Sequence, residues 1–115
     1  MRLSATGRLT AAAVFAAVLA QPQLARAAGD ASAGRDKAKL CVACHGIDGV
    51  ARLPIAATIA GESDIYLVKQ LKAFRAGERQ DPQMSIIAEQ LSDEDIADLA
   101  AWYSSIKISV EVPAE

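Results

Sequence analysis

Three stretches of the chain read as helices, two of them with apolar residues recurring at helical spacing, and that spacing is lost between them. In the first stretch, Asp30 or Ser32 offers a cap for an Ala- and Lys-rich helix running to about Cys41, with Gly34 early in it. The second opens at Ser63 or Asp64 and carries Leu67, Leu71 and Phe74 at i, i+4 and i+7, with Gly77 as the stop after Ala76. The third begins at Ser92, whose spacing from Asp95 reads as a capping box, and sets Ile96, Leu99, Ala100 and Tyr103 on one face. Asp93, Glu94 and Asp95 fill its first turn, where the helix dipole favours acidic side chains. Residues 46–61 contain Gly46, Gly49, Pro54 and Gly61 without periodicity and predict a loop that wraps over something. Residues 78–91, around Asp81-Pro82, predict another turn-rich connection. Ile106, Ile108 and Val110 alternate too briefly to count as a strand. The predicted fold class is all-α, with three main helices.

The first 27 residues read as an address. Arg2 and Arg8 precede an apolar run over residues 10–20, and Ala25-Arg26-Ala27 supplies the small residues of a cleavage site. The run is short for a permanent bilayer anchor. The expected division is therefore a secretory signal over residues 1–27, one domain over 28–107 and a tail over 108–115, with the periplasm as destination.

Cleavage after Ala27 leaves 88 of the 115 residues, and loss of Arg2, Arg8 and Arg26 moves the net charge from −2 to −5. That balance argues against nucleic acid as a partner. Acidic groups cluster at Asp93, Glu94, Asp95 and Asp98, whereas Lys69, Lys72, Arg75 and Arg79 lie elsewhere, so a lopsided surface field is expected. Lys69, Lys72 and Arg75 read as a solvated helical face. Tyr66, Phe74, Trp102 and Tyr103 are the only aromatics beyond the signal, and alanine is abundant. So small a chain with so few large side chains needs other apolar volume at its centre.

Cys41-Val42-Ala43-Cys44-His45 suggests what supplies it. Two cysteines three apart on a helical turn project to the same side, where their sulfurs can form thioethers with both vinyl groups of a haem and set the adjacent histidine under the iron. Competing uses are a strained Cys41–Cys44 disulfide, a zinc site that would have to borrow a carboxylate, and a thioredoxin-like pair without its βαβ setting. The disulfide would leave His45, the only histidine, unexplained. As a ligand through Nε2, His45 needs an acceptor for Nδ1–H, expected from a carbonyl of residues 49–58, with Pro54 a candidate. A sixth ligand could come from Met84, the only methionine beyond the signal; the alternative is a flexible core filler. With no second histidine for distal acid–base work, an enzyme is not expected.

Together with these residues, Gly34, Gly46, Ile59-Ala60-Gly61, Tyr66 to Leu71, Phe74, Gly77, Arg79, Asp81-Pro82, Met84-Ser85 and Leu91 to Asp95 resemble a class I c-type cytochrome. The likeness is strongest to one half of the di-haem cytochromes of the c-four type, and it covers nearly all of the chain beyond the signal. The resemblance implies one covalent haem c, iron ligated by His45 and Met84, and a crossing of first and last helices at Gly34 and Trp102-Tyr103. It also sets Arg79 near a haem propionate and puts uncharged Val42, Ala43, Ile47 and Val50 at the edge where electrons pass. Ala57 stands where the family has a proline, and the second haem-bearing half is missing, so a two-haem path is expected to need another protein. The implied role is a one-electron carrier, or alternatively a subunit of a periplasmic dehydrogenase complex. Its expected partners are a dehydrogenase or quinol-oxidising complex as donor and an oxidase or other acceptor, with membrane contact only through them.

Overall fold

Residues 28–114 are described by a computed structural model; the signal expected over residues 1–27 lies outside them. Five α-helices follow in order: α1 (Ala31–Lys37), α2 (Val42–His45), α3 (Asp64–Ala76), α4 (Met84–Glu89) and α5 (Asp93–Ser105), with a 3₁₀ turn, Ala38–Leu40, between α1 and α2. No strand occurs among the described residues. No helix among them is long and apolar enough to cross a membrane.

Most helix ends lie where local chemistry puts them. Asp30, not Ser32, caps α1, its carboxylate accepting from Ser32 N and Ala33 N. Ser63 caps α3, and Gly77 ends it in the left-handed conformation at φ 75°. Ser92 and Asp95 form the reciprocal capping box of α5. The α-helix expected to run to Cys41 tightens into the 3₁₀ turn at Ala38. The connection expected over residues 78–91 contains α4, whose cap is displaced: Asp81 Oδ1 accepts from Gln83 N at 2.9 Å and Met84 N at 2.8 Å.

α1 packs across α5, and α3 packs on both α4 and α5. A Cβ at Gly34 would overlap the Asp98 carbonyl oxygen and lie 2.9 Å from Trp102 Cβ, so only glycine allows this approach of α1 to α5. The face of α5 expected to be apolar is buried throughout at Ile96, Leu99, Ala100 and Tyr103, and joins Ala38, Leu67, Val68 and Leu91 in one core. Lys37 fastens the same crossing, its Nζ lying 2.6 Å from Asp98 Oδ2 and 2.9 Å from Asp95 Oδ1. The buried Asp98 also accepts from Asp30 N at 2.8 Å. Phe74 is buried on α3 as its spacing predicts.

Candidate haem-attachment site

The core leaves the attachment turn at its border. Cys41 precedes α2 and packs against the core cluster, Cys44 lies within the single turn of α2, and His45 ends it. Both cysteines are free thiols, half-buried and one helical turn apart. Burial pushes the Cys41 thiol up, with the Tyr103 hydroxyl acting in the opposite direction. His45 N and Cys44 N both bond back to the Cys41 carbonyl, at 2.8 and 3.2 Å, which closes the turn and sets the three side chains in register.

His45 Nδ1 lies 2.7 Å from the Ala57 carbonyl oxygen. A carbonyl can only accept, so Nδ1 carries the proton and Nε2 is left with a lone pair for a metal. The acceptor falls in the expected segment but is Ala57 rather than Pro54. It occupies the place of the family's proline, and since the bond uses a main-chain oxygen, the change of side chain does not disturb it. The segment is held by Ile59 N on the Gly49 carbonyl at 2.7 Å and by Ala51 N on Thr58 Oγ1 at 3.2 Å.

Met84, half-exposed, is the first residue of α4, and the fold brings it close to His45. Two backbone N–H groups, from Met84 and then Gln83, hold the Asp81 carboxyl below the usual carboxylate range. Arg79 donates from Nη1 to Gln70 Oε1 at 2.6 Å and stacks its guanidinium over the Phe74 ring at 4.5 Å. Of the expected cationic face, Lys72 and Arg75 pair with Asp93, and Arg75 also donates to the Leu91 carbonyl at 2.8 Å. Sequence spacing within α3 pointed to solvent for these two residues and missed a partner on α5.

The residues fit a covalently held haem. No group of three or more His, Cys, Asp or Glu side chains that could hold a metal ion occurs among the described residues, so zinc has no ligand set. The donors instead comprise two thiols on one turn, one imidazole with its distal nitrogen available, and one thioether. Leu40, Leu53, Ile55 and Ile86 are exposed, and Ile96 is the largest side chain that the polypeptide buries completely. That thin core and apolar surface suit a fold completed by a porphyrin.

Comparison with known proteins agrees. Residues 31–107 match the cytochrome c family, "Cytochrome c". Cytochrome c-554(548) of Halomonas halodenitrificans is 52% identical over 81 residues, covering 68% of this chain and 98% of that protein. Cytochrome c4 of Pseudomonas aeruginosa is 46% identical over 87 residues, covering 76% of this chain but 43% of its own length. A thiosulfate dehydrogenase electron acceptor of Thiomonas intermedia is 38% identical over 80 residues, covering 68% of this chain and 36% of its own. The crystal structure of reduced recombinant cytochrome c4 from Pseudomonas stutzeri superposes with a TM-score of 0.67 at 41% identity, over 72% of this chain and 48% of that one. The chain thus spans nearly all of the Halomonas protein and less than half of the others. With its C-x-x-C-H turn, its all-helical fold and these relatives, the chain belongs to the cytochrome c family, electron carriers with covalent haem c rather than enzymes.

Proposed function

We propose that this cytochrome is a single-haem periplasmic carrier whose haem is bound through Cys41 and Cys44, with His45 and Met84 as axial ligands. The observation that carries the reading is the His45 Nδ1 bond to Ala57, which leaves Nε2 free on the turn that bears both thiols. A haem held by Cys41, Cys44, His45 and Met84 would supply a one-electron couple, and thioether ligation from Met84 would raise its potential relative to bis-histidine ligation. The chain's own residues fix the imidazole tautomer, hold the attachment turn closed and place Met84 through the Asp81 carboxylate. Arg79 retains N–H groups beyond the one given to Gln70, and in this reading they bond a propionate. Residues 1–27 act as the export signal, 28–107 as the cytochrome domain and 108–115 as a tail.

The donor is a dehydrogenase or quinol-oxidising complex and the acceptor an oxidase or another redox protein. The name of the Thiomonas relative favours a dehydrogenase. It also supports a second reading, in which the chain is the haem-bearing subunit of such a complex. Co-purification at stoichiometry through gel filtration would select the subunit over the free carrier. The ligation is tested on exported protein: the reduced spectrum is expected to be low-spin haem c, and haem stays on the polypeptide in acidic organic solvent. Haem that extracts, or a high-spin spectrum, would reject the assignment.

A further inference from the structure

Tyr103 holds both sides of the His45 hydrogen bond. Its buried hydroxyl donates to the Gly46 carbonyl at 3.1 Å, one residue after His45. Its own carbonyl accepts from Gly61 N at 2.9 Å, on the segment that carries Ala57. Its ring packs against Gly49, with Cδ1 3.0 Å from where a Cβ on that glycine would sit. Gly49 in turn accepts from Ile59 N and Ala60 N at 2.7 and 3.1 Å. Trp102 adds an outer tie, with Nε1 donating to the Ile47 carbonyl at 2.9 Å.

We propose that Tyr103 is a positioning residue for the axial histidine: it ties the segment bearing His45 and the segment bearing its acceptor to one helix, and so tunes the potential of the haem. This rests on His45 being the proximal ligand. Burial pushes the Tyr103 hydroxyl well above its ordinary range, so it stays a protonated donor at any working pH. Tyr103→Phe keeps the ring against Gly49 but takes from the buried Gly46 carbonyl the shorter of its two hydrogen bonds, leaving only Gly49 N at 3.3 Å. The less compensated negative end of that carbonyl, adjoining the ligand, favours the oxidised state.

The test compares holoprotein of the parent, Tyr103→Phe and Trp102→Phe by redox titration, optical spectrum, melting temperature and amide exchange. Tyr103→Phe is expected to shift the potential downward with a low-spin spectrum retained, and to speed exchange at residues 46–49 and 59–61 together. Trp102→Phe shifts it less, in the same direction. A lower melting temperature with an unmoved potential makes Tyr103 merely structural and overturns the proposal. Should Tyr103→Phe fail to mature, Trp102→Phe decides: a downward shift supports the proposal, and an unchanged potential rejects it. Failure of the ligation reading looks different, as a His45→Ala variant that keeps the parent's low-spin spectrum.

Discussion

At the residue scale, the two axial candidates depend on the chain in different ways. His45 is set by its neighbours in sequence, because the turn from Cys41 fixes where its ring points. Its acceptor, Ala57, was not legible: a stretch of candidate carbonyls is visible in the sequence, but which one faces Nδ1 is decided by the loop closing on Gly49 and Thr58. Met84 was legible by elimination, yet what places it was not. Asp81 reaches past Pro82 to two backbone N–H groups, and Ser85 Oγ accepts from Asp81 N at 3.1 Å in return. Met84→Ala is expected to open the sixth coordination position to added ligands and to lower the potential substantially, within the roughly 0.8 V that axial ligands command. The fold should persist, because Met84 lies outside the buried cluster and the remaining three attachment residues are untouched. Ligand-binding titration and redox titration check it, and an unchanged spectrum would assign the sixth ligand elsewhere.

At the element scale, α3 and α5 followed from caps and spacing because each has both a side-chain cap and enough turns to show a period, whereas α1 followed from its cap and composition. α4 has neither: at six residues it is too short for periodicity, and Gln83 immediately before it makes no side-chain cap bond. The crossing of α1 over α5 was signalled by Gly34, but the ion cluster beneath it joins residues far apart in sequence and could not be read. That cluster has a consequence for acid stability. The Lys37 ammonium, followed by the Ser92 N–H and hydroxyl, lowers Asp95 to about 2, and the same ammonium with Asp30 N–H lowers Asp98. Carboxyls depressed in the folded state stabilise it fully above the ordinary carboxylate range, near 3.9, and lose that contribution as pH falls through their folded values. Melting temperature measured against pH should therefore be flat near neutrality and fall between about pH 4 and 2. Lys37→Met should flatten that fall while lowering the plateau. An acid limb identical in the variant would show that other carboxylates control it.

At the scale of the whole molecule, the expected lopsided field is reduced by pairing. Asp95 and Asp98 face Lys37, and Asp93 faces Lys72 and Arg75, so the acidic start of α5 is largely answered by cations from α1 and α3. Around the attachment turn, Val42, Ile47 and Val50 are about two-fifths exposed, at 37%, 37% and 43%, Ala43 is exposed between the cysteines, and the exposed charges among them, Asp48 and Arg52, pair with each other at 2.8 Å. Electron-transfer partners bind weakly over small interfaces, and steering by a few surface charges is screened beyond about 8 Å at physiological salt. Docking on an apolar ring at this edge, with charge serving long-range orientation, is the arrangement these two observations support. Raising ionic strength should accordingly change the bimolecular rate with the physiological partner only moderately, whereas Ala43→Glu or Ile47→Glu should slow it more. Stopped-flow electron transfer over a salt series separates the cases. A rate that collapses with salt and ignores both substitutions would mean that the partner reads charge, and the ring at Val42, Ala43, Ile47 and Val50 would then not be the contact.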